Sequence, residues 1–129
     1  MSSTKTTKYT QDHEWLRIEE DGLVTIGITD FAQDQLGDLV YLQLPESGKE
    51  FTKGEEAAVI ESVKTAGEIL APCDGTVVEV NTQLNDEPGT VNADPMGAGW
   101  FFRMKVASLA DLGGFMDEAG YKDYVASLG

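Results

Sequence analysis

The stretch Glu61-Ser62-Val63-Lys64-Thr65-Ala66-Gly67-Glu68 lies between two short apolar runs, residues 57–60 and 69–71. Each run has a length that suits a buried strand and is too short for a helix. The symmetry of the two flanks therefore predicts a β-hairpin with Lys64 near its tip. The tip contains the β-branched Val63 and neither Asn-Gly nor Asp-Gly, so the sequence does not indicate a two-residue primed turn.

Other apolar runs predict that the chain is mainly β. Asp21-Gly22 is a strong hairpin signal between two such runs. A short helix follows, which Thr29 or Asp30 can cap and which Gly37 ends. The strands predicted outside the central hairpin are residues 15–18, 23–28, 39–44, 76–80 and 100–106.

The last part of the chain is predicted to contain a loop region, a strand and two helical segments. Residues 81–99 are rich in Pro, Gly, Asn and Asp, and we predict loops there with one apolar contact at Val91. The strand at 100–106 has alternating apolar residues that predict one face in the core. Helical spacing follows at 109–112 and 115–128. The stripe of the final helix consists of Tyr121, Tyr124, Val125 and Leu128.

Composition restricts the partners of the chain. Its 129 residues include 23 acidic and 9 basic side chains, for a formal charge of -14. Binding to nucleic acid or to an anionic membrane needs clustered Lys and Arg, so both are disfavoured. Self-repulsion favours a monomer. We expect a disordered tail at residues 1–7 and one domain over residues 8–129.

The chain contains one cysteine and one histidine, so the sequence predicts no internal disulfide and no Cys/His zinc site. Cys73 is interpreted as a small buried hydrophobe, and His13 as a structural hydrogen-bonding residue beside Trp15. The first ten residues contain no secretory signal or transit pattern, and no apolar run is long enough to span a membrane. We therefore expect a cytoplasmic protein.

Several short motifs lie along the chain in a fixed order. They are Lys8-Tyr9-Thr10, His13-Glu14-Trp15, Val24–Asp30, Leu36-Gly37-Asp38, Glu61-Ser62-Val63-Lys64, Gly75–Asn81, Val91-Asn92, Asp94-Pro95 and Gly99-Trp100. Together they resemble the H-protein family of the glycine cleavage system, and the most specific of them is the one that ends at Lys64. The resemblance runs in register from about residue 8 to the final helix.

The resemblance implies a barrel-sandwich hybrid of two small antiparallel sheets with short helices and a C-terminal helix. It also implies that lipoic acid is attached by an amide to Lys64, which makes the protein a carrier and not an enzyme. The implied partners are the pyridoxal-phosphate-dependent glycine decarboxylase (P protein), the tetrahydrofolate-dependent aminomethyltransferase (T protein) and dihydrolipoamide dehydrogenase (L protein). The lipoylating partner would be a lipoate ligase or a lipoyl or octanoyl transferase.

Further residues receive roles from the same resemblance. Glu61 and Gly75 match positions that the lipoylating enzyme recognises. Without the resemblance, Glu61 would be a solvated strand-end carboxylate and Gly75 a turn glycine with positive φ. Glu14 and Glu68 match acidic positions of the cleft that receives the aminomethylated arm, whose amine end is cationic.

Other functions remain open at this stage. A lipoyl domain of a 2-oxoacid dehydrogenase is expected to carry Asp-Lys-Ala at the tip, and a biotinyl domain is expected to carry Met-Lys-Met; neither surrounds Lys64. A lipoate relay that serves other apoproteins uses the same residues and stays an alternative. An enzyme would have only carboxylate chemistry available, since no nucleophile motif or glycine-rich phosphate loop is present.

Overall fold

A computed structural model describes residues 6–11, 13–19, 23–107 and 114–128. The predicted fold class, a mainly β barrel-sandwich hybrid of two antiparallel sheets with short helices and a C-terminal helix, is confirmed. The elements are β1 (Thr6–Tyr9), β2 (Glu14–Ile18), β3 (Leu23–Ile28), α1 (Asp30–Leu36), β4 (Leu39–Gln43), β5 (Glu50–Phe51), β6 (Glu56–Ser62), β7 (Ala66–Leu70), β8 (Gly75–Val80), α2 (Gln83–Asp86), α3 (Thr90–Ala93), β9 (Phe102–Val106) and α4 (Glu118–Leu128).

The larger sheet has six strands in the order β1-β2-β3-β9-β8-β5. At its centre Val24 pairs with Met104, and Ile26 pairs with Phe102. All four side chains are fully buried. The alternation predicted for β9 is therefore confirmed at Phe102 and Met104, and these residues form the inner face of the sheet.

The smaller sheet has three strands in the order β4-β6-β7, and it contains the predicted hairpin. Ile60 pairs with Gly67, and Glu61 pairs with Ala66 across the hairpin. The inner side chains Ile60 and Ile69 are buried in the same apolar cluster as Phe102. The two sheets thus share one core, and burial of this face fixes the register of the hairpin.

Helix α1 connects the larger sheet to the smaller one. The Thr29 Oγ1 accepts a hydrogen bond of 3.2 Å from the Ala32 amide, which identifies Thr29 as the N-cap. Gly37 ends the helix with φ +80°, a backbone conformation that favours glycine. Both ends of the predicted short helix are confirmed.

The segment 81–99, predicted to be rich in loops, contains two single-turn helices that the sequence did not indicate, α2 and α3. These turns bury Leu84 and Val91, so the apolar contact expected at Val91 is confirmed. Burial of one apolar residue stabilises each turn, although both sequences are full of turn-forming residues.

The final helix begins three residues later than predicted, at Glu118. The cause is Met116, whose backbone exchanges hydrogen bonds of 2.8 and 3.0 Å with Tyr9 and is therefore extended. In the helix, Tyr121 is buried and its ring stacks on Tyr9 with 4.7 Å between centroids. The predicted stripe ends before Leu128, which is exposed.

The first described strand, β1, begins inside the segment 1–7 that was predicted to be a disordered tail, and the division into a tail and one domain stays a prediction. Thr6 and Thr7 belong to β1 and pair with Ile18 and Arg17. Pairing with β2 satisfies the backbone groups on the side of β1 that faces β2. Residues 1–5, the turn at Asp21-Gly22 and the predicted helix at 109–112 lie outside the described residues. In the described part of the chain, no helix combines the length and the apolar character needed to cross a bilayer.

Candidate functional site

The lysine turn, residues 62–65, joins β6 to β7 and is built around the hydroxyl of Ser62. The Ser62 Oγ accepts hydrogen bonds from the amides of Lys64 (3.1 Å) and Thr65 (3.0 Å). The Ser62 amide donates to the Thr65 carbonyl at 2.8 Å. A serine hydroxyl that accepts hydrogen bonds from the amides two and three residues later commonly stabilises a turn. Ser62 therefore stabilises this turn, although the β-branched Val63 does not favour one.

The segment at the end of α1 supports the lysine turn from outside the hairpin. The Val63 amide donates a hydrogen bond of 3.0 Å to the carbonyl of Asp38. The side chain of Lys64 extends over Gly37, where an added Cβ would lie 3.1 Å from the Lys64 Cε. The absence of a side chain at Gly37 therefore leaves the space that the aliphatic part of Lys64 occupies.

The tip of the hairpin is accessible to other proteins. Lys64 is exposed, and among the ion pairs of the described residues none includes its amine. Val63 is 66% exposed, and on the neighbouring strand Val40 and Tyr41 are exposed as well. Large exposed apolar side chains grouped around one lysine are typical of a surface that other proteins bind.

A cavity of about 360 Å³ opens at the far end of β7 from the lysine turn. Glu14 lines this cavity, is 2% exposed, and its carboxylate accepts a hydrogen bond of 3.1 Å from the Leu70 amide. A carboxylate thus lies at the edge of the smaller sheet. The other lining side chains include Tyr9, Thr10, Lys53, Pro72, Phe115 and Met116.

The second predicted cleft residue, Glu68, is exposed on β7 and does not line the cavity. Because side chains alternate along a strand, Glu68 shares a face with Ala66 and Leu70, between the lysine turn and the cavity. Glu61 is also exposed, and it pairs with Tyr41 on one side and with Ala66 on the other. Glu61 and Glu68 therefore place carboxylates on the outer face of the smaller sheet.

Gly75 lies in the other sheet, at the start of β8, where it pairs with Phe51 and Val106. The structural role expected for it, a turn glycine with positive φ, is wrong. Among the described residues the positive-φ glycines are Gly37, Gly48 and Gly54. Gly75 is instead required by close packing, because a Cβ there would lie 2.6 Å from the carbonyl oxygen of Lys105.

The histidine and the cysteine have structural surroundings. The His13 Nδ1 lies 2.9 Å from the hydroxyl of Tyr121, and its ring lies 4.7 Å from that of Phe31. The expected hydrogen-bonding role is confirmed, with the hydroxyl of Tyr121 as a partner. Cys73 is 1% exposed in the main core, as expected. No group of metal-ligating side chains occurs within the described ranges.

Sequence reasoning missed the side chains that support the turn. Ser62 had a readable signal, a hydroxyl at the first position of a turn. Asp38 and Asn92 had none beyond their presence in motifs, because their contacts with the turn and with the end of α1 join segments far apart in the chain.

Comparison with known proteins gives a consistent result. The sequence model of the family described as glycine cleavage H-protein matches residues 7–128. The glycine cleavage system H protein of Beijerinckia indica is 57% identical over 123 residues, which cover 95% of this chain and 98% of that protein. The corresponding protein of Bradyrhizobium diazoefficiens is 54% identical over 121 residues, which cover 94% of this chain and 98% of that protein.

A solved structure agrees with these sequence matches. The crystal structure of a glycine cleavage system H protein from Mycobacterium marinum superposes with a TM-score of 0.86 at 38% sequence identity. The match covers 96% of this chain and 99% of the other. The similarity therefore extends over both sheets and the helices.

Proposed function

This chain belongs to the glycine cleavage H-protein family, and we propose that Lys64 is the residue to which its lipoyl group is attached. Proteins of this family are lipoyl carriers of the glycine cleavage system and not catalysts, and they carry lipoate on a lysine. Their partners are the P, T and L proteins of that system.

One observation supports Lys64 most strongly: it is an exposed lysine held at a fixed turn. An enzyme that modifies a lysine must find the amine accessible and in a reproducible position. Lys64 meets both conditions, because its side chain is exposed while the Ser62 hydroxyl and the Asp38 carbonyl bind its turn.

The amine of Lys64 also fits the chemistry of lipoylation. A lysine amine is mostly protonated at neutral pH, so the modifying enzyme has to remove one proton. With a lipoate ligase, ATP would convert the carboxyl group of lipoate to an acyl adenylate with release of pyrophosphate, and the Lys64 Nζ would then form the amide bond with its carboxyl carbon as AMP leaves. When bound, the lipoyl group supplies a disulfide that can be reduced and can carry a one-carbon amine, which explains why the buried Cys73 is not needed for this chemistry.

We assign the cavity at Glu14 to the arm in its loaded state. An aminomethyl group on the arm is cationic, and a buried carboxylate favours a cation over a neutral group. Glu14 lies in the cavity, and Glu68 lies on the same strand face as Leu70, between the cavity and the lysine turn. Glu14 would thus bind the cationic amine in the cavity. Glu68 would attract this amine as the arm moves from the lysine turn to the cavity.

In this proposal the carrier collects its aminomethyl group at the glycine decarboxylase, delivers it to the aminomethyltransferase and is reoxidised by dihydrolipoamide dehydrogenase. The exposed side chains Val40, Tyr41 and Val63 offer an apolar contact beside the arm, and Glu61 offers a charged one. We also assign Glu61 and Gly75 to recognition by the lipoylating enzyme, Gly75 through the close strand packing that it permits. The protein is assigned to the cytoplasm, in keeping with its bacterial relatives.

The experiment is an intact-mass measurement after incubation with lipoate, ATP and a lipoate ligase. The parent and a Lys122→Arg variant, changed at an exposed lysine of α4 away from the site, are expected to gain one lipoyl group. A Lys64→Arg variant is expected to gain none. Equal gain in the Lys64→Arg variant would show that another lysine is the acceptor, and no gain in the parent would contradict the proposal.

Function is then tested by adding glycine and a glycine decarboxylase to the lipoylated protein. Glycine-dependent release of carbon dioxide is expected with the lipoylated parent and not with the Lys64→Arg variant. Release that does not depend on lipoylation would contradict the assignment of the carrier arm.

A further inference from the structure

The side chain of Asn92, on α3, joins this helix to the support of the lysine turn. Its Nδ2 donates hydrogen bonds to the Gly37 carbonyl (2.9 Å) and to the Gln33 Oε1 (3.0 Å). Its Oδ1 accepts a hydrogen bond of 2.9 Å from the Leu39 amide. The Asn92 amide therefore binds the backbone on both sides of Asp38 and uses both of its N–H groups.

The residue held in this way is the one that binds the turn. The carbonyl of Asp38 accepts the hydrogen bond from the Val63 amide. The preceding residue, Gly37, lies beneath the aliphatic part of Lys64. A chain of direct contacts thus runs from Asn92 through residues 37–39 to the backbone and the side chain of the lysine turn.

The arrangement requires a side chain that donates and accepts at once. Asn92 donates to one backbone group of the segment and accepts from the other. A carboxylate at this position could accept from Leu39 but would repel the carbonyl of Gly37. Loss of either contact frees the orientation of Asp38, because Asp38 is itself exposed and lies between the two backbone groups that Asn92 binds.

We propose that Asn92 is a positioning residue for acylation: it fixes the direction in which Lys64 is presented to the enzyme that lipoylates it. This inference rests on the proposed function of Lys64 and adds a residue remote in sequence. The side chains that a lipoylating enzyme can touch on the outer face of the hairpin are unchanged in an Asn92 variant. Loss of positioning therefore lowers the rate within the complex more than it weakens binding, and displacement by about 1 Å can reduce a rate about 100-fold.

The test compares Asn92→Asp with Asn85→Asp, which makes the same chemical change at an exposed residue of α2. Initial rates of lipoylation are measured with a lipoate ligase, lipoate and ATP, over a range of carrier concentrations and at a temperature where circular dichroism shows both variants folded. We expect kcat to fall about tenfold or more for Asn92→Asp with a smaller change in KM, and no change for Asn85→Asp.

Amide hydrogen exchange gives a readout that does not depend on the ligase. The Val63 amide is expected to exchange faster in Asn92→Asp, while amides in the centre of β3 keep their protection. Asn92→Ser, which removes the side-chain amide without adding a charge, is the second variant and is also expected to speed exchange at Val63 and to lower kcat. It also keeps the test decisive if Asn92→Asp is largely unfolded.

The outcomes separate this inference from the function on which it rests. If the parent is not lipoylated at Lys64, the proposed function fails. If the parent and the Asn85→Asp variant are lipoylated and folded Asn92→Asp is lipoylated with the same kcat, only the role of Asn92 fails. A further outcome is that lipoylation decreases only in proportion to the unfolded fraction, with unchanged hydrogen exchange at Val63. This outcome would show that Asn92 stabilises the fold and does not position Lys64.

Discussion

The carboxylate of Glu14 accepts a hydrogen bond of 3.1 Å from the amide of Leu70, so the first residue of β2 binds the outer edge of β7. The two residues belong to different sheets. The edge of a sheet exposes unpaired amides that can pair with other chains, and Glu14 satisfies one of these amides. The same carboxylate lines the cavity that we assign to the loaded arm.

We predict that Glu14→Ala lowers the free energy of unfolding by about 1 to 3 kcal/mol, because it leaves the Leu70 amide without its acceptor. Denaturation in urea measures this loss. Glu14→Gln keeps an oxygen acceptor and should recover most of the stability. The matched control is Glu68→Ala, at an exposed carboxylate on the same strand, which should change stability by less than about 0.5 kcal/mol. A loss of the same size at Glu68 would contradict the role given to Glu14.

The space above Gly37 gives a second prediction. Gly37 and Gly48 both have positive φ, at +80° and +94°. A Cβ on Gly37 would meet Lys64, whereas a Cβ on Gly48 would meet nothing within 4 Å. Both Gly37→Ala and Gly48→Ala should therefore lose about 1 to 3 kcal/mol through backbone strain. Only Gly37→Ala should also slow lipoylation of the folded protein, as measured by initial rates. Equal rates in the two variants would show that the Lys64 contact has no effect on presentation.

Ser62 gives a third prediction, because its hydroxyl is the acceptor for the amides of Lys64 and Thr65. We predict that Ser62→Ala exposes both amides to solvent, so that they exchange hydrogen several-fold faster. Hydrogen exchange followed by NMR measures the rates. Ser47→Ala is the control, since Ser47 is an exposed turn serine that binds a carbonyl of β8. No acceleration at Lys64 and Thr65 would show that backbone contacts alone hold the turn.

Two tyrosines give a prediction for alkaline pH. Burial raises the pKa of Tyr9 above its ordinary value of 10.0, with further contributions from the charges of Glu118 and Tyr121. Burial also raises the pKa of Tyr121, and the hydrogen bond with Thr29 offsets part of this effect. The folded protein therefore holds these protons at pH values where the unfolded chain has lost them.

The sign of the effect follows from this difference in proton binding. The stabilising contribution is fully present below pH 10.0 and is lost as the pH rises through the pKa values of the folded protein. The urea concentration at the midpoint of denaturation should thus decrease as the pH is raised from about 9 to about 11. Tyr9→Phe should reduce the slope. An increase in stability over this range would contradict the assignment.

Alternating apolar residues made most of the fold predictable. The strand β3 and the core face of β9 have such a pattern, the hairpin around Lys64 was predicted from the continuous apolar runs on either side of it, and each has the predicted type. The caps of α1 were readable because Thr29 and Gly37 act within a few residues of their own positions. Local signals were sufficient wherever the stabilising contact is itself local.

The remaining elements depend on contacts between distant segments. β5 has two residues, and its pairing with β8 defines it. The late start of α4 comes from the pairing of Met116 with Tyr9. The reason for glycine at position 75 lies in the carbonyl of Lys105. At the candidate site, Lys64 was predicted from its motif, whereas Asn92 could be given a proposed role only from the fold.

The residues that hold the lysine turn also determine that the site forms only in the folded chain. Asp38, Gly37 and Asn92 are separated from Lys64 along the chain, and they reach the lysine turn only through the packing of the end of α1, β4 and α3 against the hairpin. A peptide of residues 57–71 contains the lysine and its whole motif but none of this support. In such a peptide the amine would be present without a fixed direction. Lipoylation of Lys64 would therefore require the folded protein, and newly synthesised chains would receive the lipoyl group only after folding.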